Sequence, residues 1–134
     1  MTDARQAEIR ATIDALIIAG TTSDLGGLDR IYHDNMNIVM IDTDGNLTRA
    51  DKPTFIAMLK EMVDQSDGAA NDWAEYNVVE ASGDAGHVLI TRKVNLGGDD
   101  RILVLSIDLV FENDRWQVTR EVIFARPNPD PTPT

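Results

Sequence analysis

The stretch RWQVTREVIF, residues 115–124, sets Trp116, Val118, Arg120, Val122 and Phe124 at alternate positions. Alternation of bulky residues with period two predicts a strand that turns one face toward a core. A guanidinium midway along that face is costly unless its charge meets a partner or a ligand. Immediately upstream, Asn113-Asp114 reads as a two-residue hairpin turn. Pairing Glu112 with Arg115 across it lines Phe111, Leu109, Ile107, Leu105 and Leu103 against Trp116, Val118, Arg120, Val122 and Phe124. One hairpin further back, Leu96 pairs with Arg101 across the loop GGDD, which sets Arg92 opposite Leu105 and puts Val88, Ile90, Val94 and Leu96 on the same face. Three strands then agree on one apolar lining that carries two arginines, Arg92 and Arg120.

The other face of those strands reads His87, Leu89, Thr91 and Lys93, then Val104, Ser106, Asp108 and Val110, then Gln117, Thr119, Glu121 and Ile123. It is too apolar for a free surface and too polar for a core. Such a face suits a second copy laid sheet against sheet, so a homodimer is expected.

The first half of the chain has a helical texture. Ile9, Ile13, Leu16 and Ile17 recur at helical spacing before Gly20, and a shorter helix is expected from Asp24 to His33, weakened by Gly26 and Gly27. MNIVMID, residues 36–42, reads as a strand, and Asp44-Gly45 turns the chain back into LTRA. In KPTFIAMLKEMVDQS, Phe55, Ile56, Leu59, Met62 and Val63 make an apolar stripe, with Asp51 as cap and Pro53 tolerated in the first turn. From residue 73 onward, turn signals at 83–86, 97–100 and 113–114 divide four long antiparallel strands. The terminal RPNPDPTPT holds four of the five prolines, so residues 1–126 are read as one α+β domain and 127–134 as a flexible tail outside the ladder.

Composition narrows the function. A chain of 134 residues buries enough surface for one real core. The net charge of -11, from 12 basic against 23 acidic side chains, disfavours nucleic acid and anionic membranes as partners. No cysteine is present, which excludes disulfides, thiolate ligands and cysteine nucleophiles. The apolar run at 15–19 is too short for a membrane span or a signal peptide, and the cytoplasm is the expected compartment. DTDGN at 42–46 has its glycine at the wrong place for a calcium loop, SGDAG at 82–86 lies between strands rather than before a helix, and two histidines support no metal site, so neither metal nor cofactor is expected.

The order helix, helix, strand, turn, helix, four long strands resembles the nuclear transport factor two-like superfamily of α+β cones. The resemblance rests on IYHDNMNIVMIDTDGNLTRADKPTFIAML, similar to the passage from helix to strand to third helix, and on NDRWQVTREVIF, similar to the terminal strand after a polar turn. Within the superfamily the chain looks most like the putative lumazine-binding and polyketide-cyclase-like (SnoaL-like) branches. The resemblance implies a curved sheet wrapped around the third helix, a mostly apolar pocket at the wide mouth and often a homodimer; it implies no activity. The ketosteroid isomerase branch uses a tyrosine on the first helix, and none stands there in this chain.

Arg92 and Arg120 are the leading ligand-binding candidates, as receivers of an anion or a carbonyl, with pairing to a core carboxylate as the structural alternative. Tyr32, Met36, Met40, Trp73 and Tyr76 can complete a pocket through aromatic surface and adaptable thioether walls. His33 is the candidate catalytic residue, a general base if Asp34 orients it. The expected function is binding of a small, partly apolar molecule with an anionic or carbonyl group. A cofactor-independent isomerase, cyclase or dehydratase and an interaction module with a closed pocket are the alternatives.

Overall fold

Nine elements follow one another as α1 (Thr2–Thr21), α2 (Leu25–Ile31), β1 (Tyr32–Ile41), β2 (Leu47–Asp51), α3 (Lys52–Gln65), β3 (Ala74–Ser82), β4 (Ala85–Leu96), β5 (Asp99–Glu112) and β6 (Arg115–Pro127) in the computed structural model, which describes residues 2–22, 24–65, 73–96 and 99–127. The strands form one curved sheet in the order β2-β1-β6-β5-β4-β3. Its neighbours are antiparallel except β1 and β6, which run parallel because α1 and α2 deliver the chain to the far side of the terminal strand. The α+β cone expected from the sequence is what the chain forms.

Local chemistry accounts for the corners. The Asp24 carboxylate accepts from Gly27 N at 3.1 Å and caps α2, which ends at Ile31, so Tyr32 and His33 already belong to β1. At the β1–β2 hairpin the Asp42 carboxylate accepts from Asp44 N and Asn46 N, both at 2.9 Å, and Gly45 takes the positive φ of 84° that the turn requires. Asp51 accepts from Thr54 N at 3.1 Å and starts α3. Asn113 and Asp114 both have positive φ, the signature of a hairpin turn that matches strand twist.

Inside the bend, α1 lays Ile9, Ile13, Leu16 and Ile17 on the sheet, and α3 contributes Phe55 with Ile56 and Leu59 half-buried beside it. The side chains of Met62, Val63, Val94 and Leu96 lie outside the described residues. A Cβ on Gly86 would stand 2.6 Å from Ile9 Cδ1, so the glycine sets how closely α1 approaches β4. At the narrow end Trp116 meets Phe111 edge to face at 5.4 Å and donates its Nε1 proton to Glu8 Oε1 at 3.0 Å.

Two registers differ from the sequence reading. Leu96 pairs with Asp99 rather than Arg101, which moves Arg92 opposite Leu103; an even slip keeps the same residues inside. In β6 the difference is a single residue. Leu109 pairs with Val118 but Asp108 pairs with Arg120, so Thr119 is an extra residue bulged out of the ladder. The Thr119 hydroxyl donates to the Asp108 carbonyl at 3.2 Å and fixes the bulge. Beyond it the faces exchange: Glu121 and Ile123 point into the cone, while Arg120, Val122 and Phe124 point out. β6 also continues through Arg126 and Pro127, which register with Ile102 and Arg101, because a proline is tolerated at a strand end where its missing N–H interrupts nothing. The rest of the proline-rich tail lies outside the described residues.

Candidate functional site

The inner face is layered by the ladder. Near the narrow end lie Leu109, Val118 and Tyr32; the next layer is Val88, Ile107, Glu121 and Ile38; then come Ile90, Leu105, Ile123 and Met40; last are Ala74, Arg92, Leu103 and Ala125. Burial falls along that series. The first two layers are almost sealed, Leu105 and Met40 are half-buried, and the whole Arg92 layer is half-buried. Exposure of the inner face therefore rises toward Arg92, and Glu121 stands between the sealed layers and the half-buried ones.

Glu121 is 2% exposed, and the one buried carboxylate among the described residues. The Tyr32 hydroxyl hydrogen-bonds to it, while its Oε2 has no hydrogen-bond partner among the described residues. Burial pushes its carboxyl up to about 7, against the smaller opposing effects of the Tyr32 hydrogen bond and the Arg92 charge. Burial and the adjacent carboxylate push the Tyr32 phenol well above its ordinary value, so it stays a proton donor. Phe55 meets the Tyr32 ring edge to face at 5.7 Å and holds it against β6. A buried carboxyl that titrates near neutrality, with one oxygen unspent, can donate a hydrogen bond when protonated and accept a proton when ionised.

Of the residues singled out in the sequence, Tyr32 and Arg92 gather around Glu121. Met36 is buried in the core and Met40 lies in a half-buried layer. Arg92 Nε donates to the Trp73 carbonyl at 3.0 Å, which anchors it to the start of β3.

The remaining expectations are corrected. Arg120 is exposed on the outer face, because the Thr119 bulge moves it out of the lining. A guanidinium cannot shed its charge on burial, whereas a carboxyl can take up a proton, so placing Glu121 inside instead avoids a buried ion. Glu121 in turn does not lie on the outer face where simple alternation put it. The Trp73 ring carries Lys93 Nζ at 4.6 Å from its centroid, which turns it toward the outer-face lysine rather than into the cone. The Tyr76 hydroxyl donates to Asp14 Oδ1 at 2.5 Å, and Arg10 stacks on its ring at 4.4 Å, so this side chain ties β3 to α1. His33 is not oriented by Asp34. Its Nδ1 accepts from Asn35 N at 3.0 Å and its Nε2 faces Glu112 Oε1 at 3.3 Å, while Asp34 accepts from Lys52 Nζ at 3.0 Å. With one nitrogen occupied by the backbone and the other by a carboxylate, the imidazole serves as a strut between β1 and the β5–β6 hairpin.

The Asp34–Lys52 pair belongs to a separate open groove of 570 Å³ between α2 and α3, lined also by Leu25, Asp29, Pro53 and Ile56. Lys52 is buried there and spends its protons on Asp29 O, Asp29 Oδ1 and Asp34 Oδ1. Those contacts hold the Asp34 carboxyl below its ordinary value and join α2 to the start of α3. No helix among the described residues is long and apolar enough to cross a membrane.

A curved, unclosed six-stranded sheet folded over three helices is the nuclear transport factor two-like fold. Solved structures agree. An NTF2-like protein of unknown function from Silicibacter pomeroyi superposes with a TM-score of 0.79 at 18% identity, covering 94% of this chain and 100% of that one. A second, from Shewanella baltica, reaches 0.74 at 13% identity over 93% and 96%. A third, from Pseudomonas putida, reaches 0.69 at 20% identity over 92% and 88%. No family model matches the sequence, and no curated protein does. At these identities the likeness is one of fold.

Proposed function

We propose that the opening end of the cone binds a small, largely apolar molecule carrying a carbonyl, with Glu121 and Tyr32 at its floor and Arg92 beside it. The observation that carries this reading is the Glu121 Oε2, buried and without a hydrogen-bond partner among the described residues. A buried polar atom left unsatisfied costs about 1–3 kcal/mol, and a ligand that supplies the missing hydrogen bond recovers part of that cost. The half-buried Leu103, Leu105 and Met40 supply apolar wall above it. An anionic group is better matched to Arg92 than to Glu121, so it belongs toward the opening.

The test is calorimetry with cyclic and aryl ketones below and above pH 7, on wild type and Glu121→Gln. A protonated Glu121 donates to a carbonyl oxygen, so ketones bind wild type more tightly below pH 7. The amide of the variant donates at every pH, so its affinity is flat. Ligand at about a hundred times its dissociation constant adds about 2.7 kcal/mol of stability in a thermal scan. A screen in which no compound raises the melting temperature contradicts the reading and describes a cone closed by its own packing.

A second reading is favoured by the same carboxyl. A group titrating near 7 in a dry site has the basicity that proton abstraction beside a carbonyl needs, which suits a cofactor-independent isomerisation or dehydration with Glu121, not His33, as the base.

A further inference from the structure

On the outer face of the sheet, away from Glu121, three side chains form a continuous relay. His87 Nδ1 lies 2.8 Å from Asp108 Oδ1, and His87 Nε2 lies 3.4 Å from Ser106 Oγ. The ladder produces this arrangement: His87 pairs with Asp108 and Leu89 with Ser106, so the imidazole on β4 stands between two β5 side chains that are two residues apart on one face. A carboxylate can only accept, so Nδ1 carries the ring proton and Nε2 presents its lone pair to the serine hydroxyl. Nucleophile, base and orienting acid therefore stand in the order that activates a hydroxyl for attack on a carbonyl.

Two further features complete the place. The Thr119 bulge that takes Arg120 out of the cone sets it on this face opposite Asp108, exposed and without an ion-pair partner among the described residues. Across the ladder it is a diagonal neighbour of Ser106, a separation that a long side chain spans. Leu89, Val104 and Val122, half-buried, and Phe124, exposed, surround the serine with apolar surface.

We propose that the Ser106–His87–Asp108 face is a hydrolytic site for short-chain carboxylic esters, separate from the cone interior. Ser106 Oγ bonds to the ester carbonyl carbon while its proton passes to His87 Nε2, and Arg120 faces the oxyanion. The bond to the alcohol oxygen breaks as the imidazolium returns that proton to it. Water then adds to the acyl-serine, giving its proton to the same nitrogen, and the carboxylic acid leaves as the serine hydroxyl is restored.

The test uses the full chain at the lowest protein concentration the assay resolves, since two sheet faces laid together would cover Ser106. Hydrolysis of p-nitrophenyl butyrate and intact-mass labelling by a fluorophosphonate are followed in wild type, Ser106→Ala, His87→Ala and Asp108→Asn. All three positions are half-buried or exposed, and circular dichroism confirms that each variant is folded. The expected result is a single adduct on Ser106 and a rate that falls about 100-fold or more in both Ser106→Ala and His87→Ala. Asp108→Asn slows labelling by upsetting the ring tautomer. Hydrolysis that survives Ser106→Ala, with or without His87, or a wild type that takes no label, overturns the proposal.

Discussion

Between about pH 5 and pH 8.5 the wild-type protein loses about 3 kcal/mol of stability relative to Glu121→Gln. The sign follows from the direction of the shift. Burial raises the carboxyl from its ordinary 4.5 to about 7, so the folded state binds the proton more tightly than the unfolded chain does. That contribution is fully present below the unfolded value and disappears as pH rises through the folded one. Glutamine keeps an oxygen for the Tyr32 hydroxyl and has nothing to ionise, so its stability lacks this component. Urea midpoints for the two proteins at the two ends of the range measure the difference directly. Equal slopes would mean that Glu121 titrates as a surface carboxylate. The comparison removes the acid sensitivity common to both proteins, such as that of Asp34 and Asp51, whose carboxyls lie below their ordinary values and whose contribution is lost as pH falls.

Phe55→Ala is expected to cost about 3–5 kcal/mol, the range for deleting a large buried ring. Phe55 is 2% exposed and joins α3 to the inside of the sheet. Its loss also frees the Tyr32 ring, which it meets at 5.7 Å and an interplanar angle of 80°. Water then reaches Glu121, its carboxyl falls toward the ordinary range, and the pH-dependent component shrinks along with the overall stability. Denaturant melts of the variant at both pH values separate these effects: a lower midpoint with an unchanged pH slope would show that Phe55 packs without supporting the carboxyl.

Much of this fold is legible in local sequence. The α1 stripe, the α3 stripe from Phe55 to Leu59 behind the Asp51 cap, and the Asn113-Asp114 turn each follow from spacing that a neighbour cannot alter, and the structure has them in place. What alternation cannot show is a change of phase. Trp116, Val118, Arg120, Val122 and Phe124 form a more apolar series than the set chosen by the fold, which breaks phase after Val118 and resumes at Glu121 and Ile123. The bulge depends on contacts distant in sequence: the Asp108 carbonyl for the Thr119 hydroxyl, and β1, which runs parallel along the far edge of β6 and sets Ile38 against Glu121. The two arginines looked equivalent for that reason. Arg92 stands on β4, which pairs with β5 without a phase break, and stays inside, while Arg120 lies one residue beyond the Thr119 bulge and goes out. Trp73 and His33 leave the lining because of contacts distant from their own alternation. Both stand at strand starts, where local hydrogen bonds and the edge of the sheet decide direction, and no periodicity reaches that far.

The phase break also gives the two faces separate chemistry. One extra residue in β6 places an acid in the dry interior, where it can be neutralised, and a fixed cation on the outer face beside His87, Ser106 and Asp108. Without Thr119 to take up the odd residue, the guanidinium would have to be buried at that depth.

Carbon-detected NMR of the Glu121 side-chain carboxyl across the acid-to-neutral range tests this placement most directly. The account predicts a titration midpoint near 7, shifted further by Tyr32→Phe, which removes the hydrogen bond that favours the ionised form. A midpoint in the ordinary glutamate range near 4.5, indifferent to Tyr32, would contradict it.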